Sequence, residues 1–305
     1  MDLYLISIVS IGIIYSLLCL SLHLTWGQMG VVNLGITAFF GIGGYSTAIL
    51  STAYDVPISL SILIGFALSG LAGAGICRLT SHLQDDYLAI TTLGFSEIMR
   101  IICLNEIWLT NGSDGISGVP SPFNRALREV FAWQYLGFLC FFAVVVLFVF
   151  FRIGRAPLGR LLRSIRDDQV TVSAAGKNVE KIKIIIFSIS TAVAGLAGAL
   201  YVHYTSYVSP EIFQPLLTIY IFLGVCMGGR SSTWGSFCGG FLVIGLLEAT
   251  RFLETILPGF SGVQQTAARE ILIALVFIAV LINRPNGLSS VGHQFLEYFS
   301  RRQAK

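Results

Sequence analysis

The chain has 305 residues, 55% of them hydrophobic and only 11% charged, where an ordinary soluble domain carries about 25% charged residues. One soluble core cannot hide that much apolar surface, whereas a bilayer is itself the solvent for it. The mean hydropathy of +0.80 agrees, and a net charge of only +3 is too small to suggest nucleic acid as a partner.

A helix crossing the hydrocarbon needs about 20 apolar residues. In chain order, apolar blocks fall at 3–24, 29–50, 58–77, 86–104, 135–152, 184–204, 216–228, 234–250 and 270–283. The blocks lack the two-residue alternation of a transmembrane barrel. Backbone polar groups in lipid must then be satisfied within helices. The expected fold class is an all-α integral membrane protein. It is a polytopic helical bundle of about eight to ten spans, some short, re-entrant or broken, in one domain over 1–305. The first block lacks the basic n-region and small-residue cleavage site of a signal peptide, so it reads as a retained helix.

Glycines cluster inside the spans, as in Gly41, Gly43 and Gly44, Gly70 and Gly73, and Gly195 and Gly198. Small residues let helix backbones approach where lipid supplies no hydrophobic drive. The six cysteines are widely spaced, with no Cys-x-x-Cys pair, and read as packing residues. No histidine or cysteine cluster has metal or catalytic spacing, so neither metal nor cofactor is expected. His23, His82, His203 and His293 are read as interfacial or hydrogen-bonded residues.

Between the spans, 105–134 is rich in turn residues and is expected to be an outer loop without regular structure. The segment 152–183 differs. Leu158, Leu161, Leu162 and Ile165 follow the i, i+3, i+4, i+7 rule of one helix face. Arg160, Arg163 and Arg166 form a basic edge. Asp167 or Asp168 can cap a second short helix through Val170, Val172, Ala174 and Ala175, and Gly176 suits its left-handed stop. An apolar stripe with a basic edge suits either a groove on a partner or anionic headgroups of membrane lipid. Placing 152–183 inside collects 14 of the 19 Lys and Arg residues on the inner side, with the N-terminus outside and the C-terminus inside.

Charges within spans cost about 2.5–3.5 kcal/mol on insertion scales and tend to persist for a reason. Glu97 with Arg100, and Glu248 with Arg251, are such pairs at i, i+3. Each reads either as a packing ion pair or, for Glu97 and Arg100, as part of a passage. Asn33, Thr91 and Thr92 are uncharged donors at membrane depth. They can bond neighbouring helices or touch a passing solute.

Several stretches resemble one family, in order along the chain. They are Trp26-Gly27 through Ala38-Phe39-Phe40-Gly41 to Gly44-Tyr45, Asp86-Tyr87 through Thr91-Thr92-Leu93-Gly94-Phe95 with Glu97 and Arg100, and Thr110-Asn111-Gly112-Ser113-Asp114-Gly115. Arg163-Ser164-Ile165-Arg166-Asp167-Asp168, Ala194 through Tyr201, and Gly228-Gly229 before Trp234-Gly235 complete the set. The set resembles the LivM-type permeases of branched-chain and other hydrophobic amino-acid ABC importers. That resemblance implies a related second permease, two ATP-binding subunits, an extracytoplasmic substrate-binding protein, an amino-acid substrate and a plasma (inner) membrane location. It also implies that 152–183 carries the helix coupling this chain to the ATPase. Asn33, Thr91, Thr92, Glu97 and Arg100 are the candidate passage residues. Leu158, Leu161, Leu162, Arg163, Ile165, Arg166, Asp167, Asp168, Ala174, Ala175 and Gly176 are the candidate coupling residues. Val170-Thr171-Val172 replaces the family's acidic-Ala-Ala run. Ile36-Thr37 stands where many members have a histidine, which leaves neutral amino acids or urea as alternative substrates. The chain has no Gly-x-x-x-x-Gly-Lys-[Ser/Thr] phosphate loop, so a transport subunit without its own ATPase site is expected. An ion-coupled secondary transporter is the competing class, and it requires buried carboxylates at the midplane of symmetric halves.

Overall fold

The computed structural model describes residues 2–80, 85–251 and 262–283. Helix α1 (Asp2–Leu22) runs into a π-helical turn (His23–Gln28). Then follow α2 (Ile36–Ala53), α3 (Ile58–Leu79), α4 (Asp85–Asn105), the short α5 (Ile107–Thr110) and the long α6 (Arg128–Arg155). Helices α7 (Pro157–Asp167) and α8 (Gln169–Ala174) lead to α9 (Val179–Thr205), α10 (Pro215–Gly228), α11 (Thr233–Arg251) and α12 (Gly262–Asn283). Among the described residues, seven helices are long and apolar enough to cross a membrane, and α10 is a shorter apolar helix. The chain is a multi-pass membrane protein.

Local chemistry sets the helix ends. Pro157 and Pro215 occupy first turns, where a missing N–H costs nothing. Asn178 caps α9 by accepting from Lys181 N, and Gly229 ends α10 at φ 106°. Every expected span matches a helix, with two differences. Residues 29–35, expected inside the second span, are not helical beyond Met29. Gly30 turns the chain at φ +83°, and the backbone then runs without regular structure to Asn33. In 105–134 the chain is more ordered than expected. It holds α5, a 3-10 turn (Gly112–Asp114), strand β1 (Ile116–Ser117) and the start of α6.

The centre of the bundle is α2, α3 and α9. A methyl at Gly43 would strike the backbone of Gly195, and one at Gly198 would strike the carbonyl of Phe40. These glycines are therefore what lets α2 and α9 touch backbone to backbone. Serines tie the same layer: Ser69 Oγ donates to Phe39 O at 3.0 Å, and Ser188 Oγ to Gly70 O at 2.8 Å. Ser21 on α1 and Ser190 on α9 each donate to the other's carbonyl at 2.7 Å.

The two ends of the bundle differ. One carries α7, α8 and the π-helical turn. The other carries an antiparallel ribbon in which Ile116 pairs with Val208 of β2 (Tyr207–Val208). There Arg125 donates to the carbonyls of His203 and Tyr204, and His203 Nδ1 donates to Pro120 O. Tyr4 donates to Glu248 at 2.6 Å, so Glu248 is tied to α1. The side chain of Arg251, and His82 and His293, lie outside the described residues.

Candidate functional site

Ser69 bonded to Phe39, and Thr47 bonded to Ser61 O, fix the register of α2 against the antiparallel α3. From that register α3 continues to Leu79, while α2 stops at Ile36. At about 1.5 Å per residue, α2 begins roughly 10 Å short of the end of α3. The segment 29–35 therefore climbs through the bundle as non-helical backbone, with Met29, Val31, Asn33 and Gly35 buried. Backbone of that kind at membrane depth is tolerated only where protein or water satisfies it.

Side chains do so here. Leu34 N donates to Thr92 Oγ1 at 3.1 Å, and Gly35 N to Asn33 Oδ1 at 3.0 Å. Thr218 Oγ1 donates to Leu34 O at 3.3 Å. Just inside α2, Thr37 Oγ1 shares a 2.7 Å hydrogen bond with Ser96 Oγ and lies 3.3 Å from Thr218 Oγ1. Asn33, Thr37, Thr92, Ser96 and Thr218 thus latch the start of α2 to α4 and α10, and all five are buried. Asn33 Nδ2 has no partner among the described residues although Asn33 is fully buried. The N-cap residue, Gly35, offers the start of α2 no side-chain acceptor.

Above this latch, towards the ribbon end, is a cavity of about 210 Å³ between α2, α4 and α5. Its walls are apolar, from Gly41, Ile42, Met99, Cys103 and Phe213, and its floor is Thr37 and Ser96. Tyr45 also lines it and brings a buried hydroxyl with no partner among the described residues. Drug-sized ligands fill about 300–1,000 Å³, so this almost wholly apolar chamber suits a smaller group, such as an aliphatic side chain.

Of the five expected passage residues, the fold brings Asn33 and Thr92 together. Thr91 points the other way; it is exposed and bonds Tyr87 O. Arg100 holds both oxygens of Glu97 and also borders the cavity. Ser96, Thr218 and Tyr45 were not among the expected passage residues, and Thr37 was noted only as standing, with Ile36, where many family members have a histidine. Ser96 was within reach, since it follows Thr92 at i+4 on one helix face. Thr218 was not, because nothing local ties α10 to α2.

Residues 4–281 match the family described as branched-chain amino acid transport system / permease component. The chain belongs to this family. It is similar to the high-affinity branched-chain amino acid transport system permease protein LivM of Escherichia coli, 32% identical over 269 residues. That alignment takes in 81% of this chain and 63% of the relative, so the chain spans less than two thirds of that protein's length. It is similar to a probable LivM of Methanocaldococcus jannaschii, at 27% identity over 90% of both chains. It is also similar to LivH of Salmonella typhimurium, at 25% over 92% of both. No solved structure matches the chain.

In this chain the 152–183 segment forms the two expected helices, and Asp168 is the cap between them. Its carboxylate accepts from Val170 N and from the amide and hydroxyl of Thr171. Those bonds, the Thr171 hydroxyl first, hold the Asp168 carboxyl below the usual carboxylate range. Gly176 takes the left-handed stop at φ +79°.

One expectation is corrected. The apolar face of α7 is not offered outwards, because Leu162 and Ile165 are fully buried against the permease's own bundle, with Leu158 and Leu161 half-buried. Nor are Arg163 and Arg166 a free basic edge. Arg163 donates to Gln28 Oε1 at 3.3 Å and to Gly154 O at 3.1 Å. Arg166 donates to Gly27 O at 3.0 Å. An amphipathic helix buries its stripe against the nearest apolar surface, and here that surface is intramolecular. The outward face of the pair includes Arg160, Ser164, Asp167, Asp168, Val170, Thr171, Ser173, Ala174 and Ala175.

The π-helical turn sits where these contacts meet. His23 Nδ1 faces Arg230 O at 2.9 Å; a carbonyl only accepts, so Nδ1 carries the proton. Nε2 then accepts from Gln28 and Thr233, both at 3.2 Å. Trp26 packs on Phe222 of α10. One turn of backbone thereby joins α7, α10 and α11, and it leads five residues later to Asn33.

Proposed function

We propose that this chain is the membrane permease of an ATP-binding-cassette importer in the plasma (inner) membrane. It moves amino acids, branched-chain or neutral, into the cytoplasm by alternating access. A separate pair of ATP-binding subunits supplies the energy, and an extracytoplasmic binding protein delivers the substrate. A related second permease completes the passage, and residues 1–305 act as one permease domain. The end carrying α7 and α8 is cytoplasmic, an orientation that the clustering of basic residues there favours. The N-terminus is then outside and the C-terminus inside.

The observation that carries this reading is the broken start of α2 beneath the apolar cavity. An amino acid with an aliphatic side chain places that side chain against Ile42, Met99 and Phe213. Its charged end meets the hydroxyl floor near the start of α2, where the helix dipole favours a carboxylate. The latch consists of hydroxyls and an amide and contains no carboxylate, which favours this reading over ion-coupled transport.

We further propose that α7 and α8 couple the ATPase to the latch. The exposed face meets the ATPase, and Arg163 and Arg166 pass its movement to the π-helical turn and so to Asn33.

The test is uptake by the purified complex in proteoliposomes with ATP inside the compartment that faces α7. ATP-dependent accumulation of leucine, isoleucine or valine supports the reading. Accumulation driven by an ion gradient without ATP, or of urea in preference to amino acids, overturns it.

A further inference from the structure

Helices α3 and α6 both lie against α9, and between them runs a groove of about 480 Å³. Its floor is Val193 and Leu196 of α9 with Ile62, Val146 and Phe150, all buried. Its rims are Leu63 on α3 and Val145 and Val149 on α6, which are exposed. Ser59, at the end next to the ribbon, is the one polar side chain among the described lining residues. The surfaces beside the groove are apolar as well, with Leu60 and Leu71 exposed on α3 and Phe141, Val144 and Phe148 on α6.

Exposed Trp133 and Tyr54 stand at the ribbon end, where aromatic residues mark a membrane interface, and Arg152 and Arg155 close α6 at the other. At about 1.5 Å per residue, Trp133 to Arg152 covers roughly 28 Å, close to the about 30 Å of the hydrocarbon. The groove begins at Ile58, the first residue of α3, and follows that helix for roughly 12 Å to Phe66. Along α6 it runs roughly 18 Å, from Phe138 to Phe150. It is therefore about as long as one leaflet is deep, and on α3 it opens at the ribbon-side interface. We propose that this groove is a binding site for one acyl chain of a phospholipid from the ribbon-side leaflet, held between α3 and α6. Lipid gives apolar side chains no hydrophobic drive for burial, so packing selects the occupant. An unfilled gap forfeits dispersion contacts along its walls, and a flexible chain follows an irregular groove that a straight helix cannot. Helices of a second protein approach closely through small residues. Here the rims are leucine and valine, and no glycine is among the described lining residues.

The test uses a phosphatidylcholine carrying a diazirine midway along one acyl chain. It is added at increasing ratios to the intact complex in mild detergent, irradiated, and its adducts are located by peptide mapping. Adducts are expected on Leu63, Phe142, Val145 and Val149, saturating at one lipid per permease chain and displaced by unlabelled phosphatidylcholine. Leu63→Trp with Val145→Trp fills the opening from its exposed rims, so those adducts should fall by about tenfold while the melting temperature holds. Leu71→Trp, at a residue 69% exposed on the same helix, should leave the labelling unchanged. Adducts that spread over every outward face and rise with lipid without saturating would overturn the proposal. So would groove residues that are shielded in the complex and labelled only in the separated permease, since a protein would then cover them. Should the double variant misfold, saturation and displacement in the wild-type chain still decide.

Discussion

Arg166 on α7 donates from Nη1 to the carbonyl of Gly27, 3.0 Å away in the π-helical turn that precedes the broken start of α2. Its stem also lies against Gly30, where a methyl would touch it. π-helical turns recur at functional sites because they strain an otherwise regular ladder. This one is held by charged donors from the helix pair that bears the exposed polar face.

If Arg166 links α7 to the latch, Arg166→Ala will uncouple the machine without dismantling it. A hydrogen bond from a charged group contributes about 1.5–3 kcal/mol, roughly tenfold or more in a coupled equilibrium. Uptake is expected to fall by about that factor while the ATPase still co-purifies and hydrolyses ATP. Parallel loss of ATPase retention and uptake would assign Arg166 to docking instead.

The burial of Leu162 separates two substitutions on the same segment. Leu162→Asp forces a charge between α7 and the bundle, costing several kcal/mol, so thermal stability of the permease itself should drop. Val170→Asp, at a residue 79% exposed, leaves the fold unchanged. With Val170→Asp the ATPase is expected to dissociate in detergent while the permease melts at its usual temperature. Retention of the ATPase at the wild-type level would remove this face from the interface.

The spans were legible in the sequence because hydrocarbon demands long apolar runs, and every such run became a helix. The cap at Asp168 and the stop at Gly176 were legible for the same local reason. The break at 29–35 was not, since Val31, Val32, Leu34 and Ile36 read as continuous apolar sequence. What breaks that helix is distant: Thr92 and Thr218 satisfy its backbone from other elements. The partner of the α7 stripe was illegible too. Periodicity reveals that a face is apolar, never which surface covers it.

Close packing at the centre predicts opposite outcomes for two glycine substitutions. Gly198→Ala drives a methyl into Phe40 O, and overpacking of that kind costs about 1–3 kcal/mol. Gly137→Ala, on α6, meets nothing within 4 Å and gains helix propensity of up to about 1 kcal/mol. Melting of the purified permease should fall for the first and hold or rise for the second. A fall of equal size in both would deny the backbone contact between α2 and α9.

Glu97→Gln removes the charge that Arg100 clasps with both oxygens. Membrane levels are expected to stay near normal, because the pair is half-exposed rather than sealed in the core. Uptake should decline as an unpaired Arg100 borders the chamber. Were levels and uptake to fall together, the pair would be a packing element and no part of the passage.

The most direct measurement concerns the latch at the start of α2. Thr37→Val with Ser96→Ala abolishes the 2.7 Å bond and the floor of the chamber while keeping side-chain bulk close to native. Each lost hydrogen bond contributes about 0.5–1.5 kcal/mol, enough for roughly a tenfold loss when two polar groups go at once. In proteoliposomes holding the full complex, ATP hydrolysis should persist while ATP-driven leucine uptake falls by about that factor. Wild-type leucine uptake with both hydroxyls gone would contradict the claim that the broken helix gates the passage.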